Sequence, residues 1–227
     1  MKKIVISEVI SQGWELTKKH WLVLLICMIV MSIINSLLGR IGQPGEAEIM
    51  ALGQPDPNNL AQYYMSLFSL YNPAATFLTT ILYMMMSIGF YQIVLNCTRS
   101  KGEFTIQAWA QPIMTYVNII IANIIIAIVC VIGLICCILP GIYLMARLQF
   151  TTYYLLDHKD ASCIDAIKAS WAMTQENGIQ LSLLCIVYFL IEILGFLCCL
   201  VGIFPAAMVV YLSGAVCYLT LNNSNNE

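Results

Sequence analysis

Charged residues are scarce in this sequence. Only 10% of the 227 residues are Asp, Glu, Lys or Arg, whereas 60% are hydrophobic. Ten basic residues nearly balance twelve acidic ones, which argues against both a basic surface for nucleic acid and an acidic disordered tail. A mean hydropathy of +0.84 lies outside the range of soluble proteins. The composition therefore predicts an integral membrane protein whose main partner is the lipid bilayer, with no nucleic acid partner.

Motifs for catalysis or metal binding are also missing. The chain has two histidines and no phosphate-binding loop, nucleophile elbow or metalloprotease helix. Most of the ten cysteines fall in apolar runs, where Cys behaves as a small apolar residue. We therefore predict no enzyme activity, no cofactor and no metal site. A disulfide stays open only for Cys136-Cys137 and Cys198-Cys199, at the outer ends of two predicted hairpins.

Long apolar runs dominate what is present. A helix needs about 20 mostly apolar residues to cross a hydrocarbon core of roughly 30 Å. Six runs qualify: His20–Leu38, Ala75–Cys97, Ile113–Ile138, Gly141–Leu156, Ile179–Val201 and Ala206–Leu221. They are apolar on every face, unlike the alternating strands of a membrane barrel. The prediction is an all-α polytopic protein with six transmembrane helices, forming one integral membrane domain over residues 1–227.

The basic residues predict an orientation, because cytoplasmic loops carry the excess of Lys and Arg. With the N-terminus in the cytosol, eight of them are cytoplasmic: Lys2, Lys3, Lys18, Lys19, Arg99, Lys101, Lys159 and Lys168. Only Arg40 then lies outside, and Arg147 lies within the fourth run. This predicts cytoplasmic termini, an outer loop at 39–72 and a cytosolic tail at 222–227.

An internal repeat is indicated by three tryptophans. A shift of 62 positions superposes Trp109 on Trp171, Gly133 on Gly195, and the two cysteine pairs on each other. A shift of 157 positions superposes Trp14 on Trp171. We predict three parallel units, at about 1–98, 99–157 and 158–221, each an amphipathic stretch followed by a transmembrane hairpin. Chance matches between apolar helices are the alternative.

The amphipathic stretch of the third unit has two interpretations. Ile164, Ile167 and Trp171 share one helical face, whereas Asp165 and Lys168 lie elsewhere. Such a helix can lie in the membrane interface, with its Trp at headgroup depth. It can equally pack on its own bundle.

Two short strings carry a family resemblance. They comprise Pro140, Gly141, Ile142 and Tyr143, followed by Arg147 and Phe150, and then Ser170, Trp171, Thr174 and Asn177. This pattern resembles six-span bacterial membrane proteins that are similar to the membrane domain attached to some glycerophosphoryl diester phosphodiesterases. The match covers about half the chain, from about Phe104 to Tyr218. The resemblance implies a fold and a location in the bacterial inner membrane. It implies no activity, because a phosphodiesterase of that kind needs a separate catalytic domain.

Two ionisable residues fall inside the predicted spans. Arg147 and Glu192 lie about 10 Å and 13 Å from the same membrane face, at 1.5 Å per residue. Because buried charges usually find a partner, we predict that they interact inside the bundle. The pair is either structural or part of a solute or lipid-headgroup site; snorkelling to the surface is the third possibility.

Two functional classes follow. The first is a non-enzymatic scaffold or accessory subunit that engages the membrane surface, a membrane or cytosolic protein partner, or further copies of the chain. The second is a permease or lipid-handling protein with a polar intramembrane site at Arg147 and Glu192.

Overall fold

The computed structural model describes residues 3–57, 59–99, 106–198 and 200–225. Within these ranges every regular element is helical and no strand occurs, so the all-α prediction is confirmed. Lys2, Lys101, Phe104 and Cys199, which entered the sequence analysis, lie outside these ranges, as do residues 226–227 of the predicted tail.

The described residues contain ten α-helices. They are α1 (Ile6–Gly39), α2 (Glu46–Ala51), α3 (Leu60–Ser69), α4 (Pro73–Thr98), α5 (Ile113–Cys136), α6 (Ile138–Leu148), α7 (Thr151–Asp157), α8 (Cys163–Met173), α9 (Gly178–Leu197) and α10 (Leu200–Asn225). Short 3₁₀ turns lie at Ile106–Trp109 and Gln175–Asn177.

Five helices in the described residues are long and apolar enough to cross a membrane. These candidate spans are Ile6–Gly39, Pro73–Thr98, Ile113–Cys136, Gln175–Leu197 and Gly202–Asn223. The membrane prediction is thereby supported in its coarser form. The fourth apolar run does not form the single continuous helix that we expected, because it is divided into α6 and α7.

Side chains accommodate the division between α6 and α7. The Ala146 carbonyl accepts from the Gln149 amide at 3.0 Å, and the Leu148 carbonyl accepts from the Thr151 hydroxyl at 2.8 Å. Between them, the Arg147 carbonyl accepts from the Ser170 hydroxyl at 2.7 Å. Irregular backbone at membrane depth is tolerated where it is buried in protein. Phe150 at the division is fully buried, which meets that condition.

The chain forms two compact units. The larger contains Met1–Met28 and Ile88–Glu227, and the smaller contains Ile29–Ser87. The smaller unit includes α2, α3, the second half of α1 and the first half of α4. The larger unit has an aromatic core, in which Tyr153 stacks on Tyr218 with ring centroids 5.5 Å apart.

Two helical hairpins of the larger unit close through glycine. In α5–α6, a Cβ atom added at Gly133 would lie 3.2 Å from the Gly141 Cα. In α9–α10, a Cβ atom added at Gly195 would lie 2.7 Å from the Gly202 carbonyl oxygen. Small residues permit such close backbone approach between membrane helices. Gly133 and Gly195 are matched by the 62-residue shift, but their partners are not, because the shift places Gly141 on Ile203 and not on Gly202.

The amphipathic parts of the three predicted units differ in structure. Trp14 lies within α1, which continues without interruption into the first apolar run. Trp109 ends a 3₁₀ turn, and its ring packs directly on Gly89 of α4. Trp171 lies in α8, a separate helix. The full threefold repeat therefore stays a prediction.

Helix α8 packs on the bundle along one face and leaves part of its apolar stripe exposed, so a place in the membrane interface stays a prediction. It packs on the bundle through Ala166, Ser170 and Met173, which are buried. Ile164 and Trp171 remain 55% and 40% exposed. The helix thus packs through a face other than the apolar stripe of Ile164, Ile167 and Trp171. Part of that stripe therefore stays exposed.

Candidate functional site

Arg147 is the buried charge at the centre of the candidate site. It is the penultimate residue of α6 and only 4% exposed. Its Nε donates to the Thr174 hydroxyl at 3.1 Å, and its two terminal nitrogens donate to the Tyr143 hydroxyl and the Trp171 carbonyl. The guanidinium also lies 3.5 Å from the centroid of a Trp171 ring. Hydrogen bonds and a cation–π contact therefore hold the cation, and no carboxylate in the part of the chain that the structure describes forms an ion pair with it.

Helix α8 supplies most of these partners. Its N-terminus is capped by Ser162, whose hydroxyl accepts from the Asp165 N–H at 3.2 Å. The buried face then places Ser170 against the Arg147 carbonyl. One turn later, the Thr174 hydroxyl donates to the Ser170 carbonyl at 2.8 Å while accepting from Arg147. The hydroxyls of Ser170 and Thr174 thus link the end of α8 to α6.

The remaining residues of the two sequence strings surround this cluster. The Asn177 side-chain oxygen accepts from the Ile4 N–H at 3.1 Å, which attaches the N-terminal segment. A Cβ atom added at Gly178 would lie 2.8 Å from the Tyr143 ring, so α9 begins against Tyr143. Gly141, which follows Pro140, packs on Leu134 of α5. We call Tyr143, Arg147, Ser170, Trp171, Thr174 and Asn177 the arginine lock.

The structure does not bring Glu192 to Arg147. Glu192 is exposed and lies 14 residues after Gly178, about 21 Å along α9 at 1.5 Å per residue. The ion pairs between described residues are Lys18–Glu15 and Arg99–Asp157. Counting residues from the ends of two helices gave similar depths, but it contained no information on which part of α9 packs on α6. Arg147 instead contacts the segment that precedes α9, at the end of that helix opposite to Glu192.

A second polar cluster was missed by sequence reasoning. Arg99 donates to the Asp157 carboxylate at 2.6 Å, and the Tyr218 hydroxyl donates to the same oxygen at 2.8 Å. The Asp157 side chain is only 9% exposed. A signal was available: Arg99 and Asp157 lie within two residues of the ends of the second and fourth apolar runs, which were predicted to end at the same membrane face.

Two clefts lie away from the lock. One, of about 450 Å³, is lined by α1, α4 and α10, including Gln12, Thr98 and Asn223. The other, of about 210 Å³, lies in the smaller unit and is lined by residues that include Asn35 and Tyr83. Among the described residues no group of three or more His, Cys, Asp or Glu is suited to hold a metal ion.

The chain matches no protein-family model, and no curated protein or solved structure shows significant similarity to it. The resemblance to phosphodiesterase membrane domains therefore stays a prediction. Five of the residues carrying that resemblance are joined by direct contacts, namely Tyr143, Arg147, Ser170, Trp171 and Thr174.

Proposed function

We propose that the protein is a non-enzymatic, multi-pass scaffold or accessory subunit of the bacterial inner membrane. The observation that carries this proposal is the arginine lock, in which a guanidinium inside an apolar bundle donates to three groups of its own chain. In a binding or transport site the polar groups bind a ligand. The polar groups of the arginine lock instead bind one another and join α6, α8 and the start of α9. The one deeply buried charge of the fourth run therefore serves rigidity.

The scaffold offers a face for association on α8. Ile164 and Trp171 are exposed beside Lys168, on a helix whose other face is fixed to the bundle. A rigid helix with an exposed apolar pair is suited to a second membrane protein, a cytosolic partner or the bilayer surface.

Within this proposal α6 and α7 together make a sixth membrane crossing. Residues 138–157 are 20 in number and reach about 30 Å if α6 and α7 are roughly coaxial, which matches the hydrocarbon core. Six crossings put both termini on one side, consistent with the eight-to-one distribution of Lys and Arg. Five crossings would place the termini on opposite sides.

Reporter fusions test this topology. Reporters at Ser11, Cys163 and Asn223 should all report the cytosol, and one at Gly53 should report the outer side. A reporter at Asn223 on the side opposite to Ser11 would reduce the crossings to five and remove this part of the proposal.

The scaffold function is tested by crosslinking in native membranes. Ile164→p-benzoylphenylalanine should form a discrete adduct, whereas the same substitution at Asp165, about 100° round the helix, should form less of it. In parallel, purified protein in proteoliposomes should neither scramble labelled phospholipid nor release trapped solutes. Transport that is abolished by Arg147→Gln would overturn the scaffold and favour the permease.

One observation favours the second class, a permease or lipid-handling protein. The division of the fourth run at Gln149 and Phe150 is the kind of interrupted helix on which transporters build sites. Here, however, side chains satisfy the carbonyls at the division and Phe150 fills the space. For this reason the scaffold comes first. Flux that responds to substitution at Gln149 would support the permease.

A further inference from the structure

Helix α3 in the smaller unit presents an exposed apolar face. Tyr64, Met65 and Phe68 are 61%, 74% and 77% exposed. Their positions, one and four residues apart, put them on one side of the helix. Gln62 and Ser69 lie at the polar edge of this face, next to Met65, and both are exposed as well.

A third side of α3 faces its own unit. Tyr63, Leu67 and Leu70 are each partly buried, so the helix is anchored along this line. Because the anchored line takes only part of the apolar surface, Tyr64 and Phe68 point away from the protein. The exposed face therefore needs a partner other than the smaller unit itself.

The chain connection determines which partner is within reach. Helix α3 ends at Ser69 and α4, a candidate membrane span, begins at Pro73. The three intervening residues extend at most about 10 Å. Helix α3 is thus held at the surface of the bilayer that α4 enters, within the depth of the lipid headgroups.

We propose that α3 is an interfacial helix that inserts Tyr64, Met65 and Phe68 among the lipid headgroups and upper acyl chains, next to the point where α4 enters the membrane. This proposal goes beyond the scaffold function and does not depend on it. It also does not depend on which face of the membrane carries the loop.

The chemistry of α3 specifies the kind of lipid contact. Residues 60–72 contain no Asp, Glu, Lys or Arg, so attraction to anionic headgroups cannot hold the helix. The smaller unit has one basic residue, Arg40, and three acidic ones, Glu46, Glu48 and Asp56. Binding should therefore rest on buried apolar and aromatic surface, and should be insensitive to salt and to lipid charge.

Photocrosslinking of the full chain in lipid nanodiscs tests the proposal. Phe68→p-benzoylphenylalanine should yield phospholipid adducts by mass spectrometry. The matched control, Gln62→p-benzoylphenylalanine, lies about 120° round the same exposed helix and should lose most of that adduct. Nanodiscs of phosphatidylcholine alone and nanodiscs with added phosphatidylglycerol should give equal yields, at low and at high salt.

Three results would overturn the inference. A dominant adduct between two copies of the chain would make α3 a protein interface. Equal lipid adducts at positions 62 and 68 would show that the helix has no fixed orientation in the bilayer. A yield that rises with phosphatidylglycerol and falls with salt would show that charge, and not apolar contact, recruits the loop. As a second measurement, amide exchange of α3 should be slower in nanodiscs for the wild type than for Phe68→Ser.

Discussion

The hairpins α5–α6 and α9–α10 start from similar sequence and end differently. One residue separates the two helices of the first hairpin and two residues separate those of the second, and both hairpins close on glycine pairs. In the first, the returning helix stops after 11 residues, at Leu148. In the second, α10 continues for 26 residues, from Leu200 to Asn225.

Arg147 marks the difference between them. The 62-residue shift aligns Arg147 with Val209, which is buried in α10 among apolar neighbours. An apolar residue in that register lets the helix continue, whereas Arg147 needs hydrogen-bond acceptors that only α8 and Tyr143 provide. The comparison indicates that one charged position coincides with the change from a continuous helix to a divided one. Four predictions test this account.

The largest effect is expected from Arg147→Leu, which makes the first hairpin resemble the second. Hydrogen bonds to charged groups contribute about 1.5 to 3 kcal/mol each, so the loss of three should lower stability by about 3 kcal/mol or more. Thermal unfolding in detergent measures it. Arg40→Leu, at an exposed arginine, is the control and should change little. Equal behaviour of the two variants would show that the lock does not stabilise the fold.

The next effect separates the two glycine contacts. At Gly195 an added Cβ would meet the Gly202 carbonyl oxygen at 2.7 Å, whereas at Gly133 it would first meet the end of the Leu144 side chain at 2.8 Å. A flexible side chain can move and a backbone cannot. Gly195→Ala should therefore cost about 2 kcal/mol and Gly133→Ala about 1 kcal/mol, within the range for overpacking. Melting temperatures give the order, and Gly39→Ala, which meets no atom within 4 Å, is the neutral control. The reverse order would contradict the account.

A smaller effect should follow from Ser170→Ala. This variant removes the hydroxyl that bonds to the Arg147 carbonyl and leaves a buried acceptor without that partner, at a cost of about 1 to 2 kcal/mol. In Ser182→Ala the lost hydroxyl bonds only to the Gly178 carbonyl one turn earlier in the same helix. That control should remain within about 0.5 kcal/mol of wild type. Chemical unfolding measures the stability of both variants. Equal losses would show that Ser170 does not stabilise the division between α6 and α7.

The smallest effect is expected from Glu192→Gln. Because Glu192 is exposed and distant from Arg147, stability should stay within about 0.5 kcal/mol of wild type. The Arg147→Leu, Glu192→Gln double variant should then equal Arg147→Leu alone by thermal unfolding. A double variant that is more stable than Arg147→Leu alone would support the ion pair that the sequence suggested.

Sequence reasoning predicted the helices better than their contacts. Five of the six apolar runs lie largely within candidate spans. Arg147 was identified as the unusual residue, and Tyr143, Trp171, Thr174 and Asn177 were singled out as landmarks. Their meeting was not anticipated, because spacing along a chain contains no information on which helix packs on which.

The sequence by itself determined that the chain is helical and apolar. Uninterrupted runs of apolar residues bury backbone polar groups, and a helix satisfies those groups within the segment. Tertiary structure alone decided the partner of Arg147 and the division of the fourth run. Both depend on donors and acceptors from elements far apart in the chain: Ser170 lies 23 positions from Arg147, and Thr174 lies 27 positions from it. Local periodicity cannot report contacts of that range, since only the packed bundle places α8 against α6.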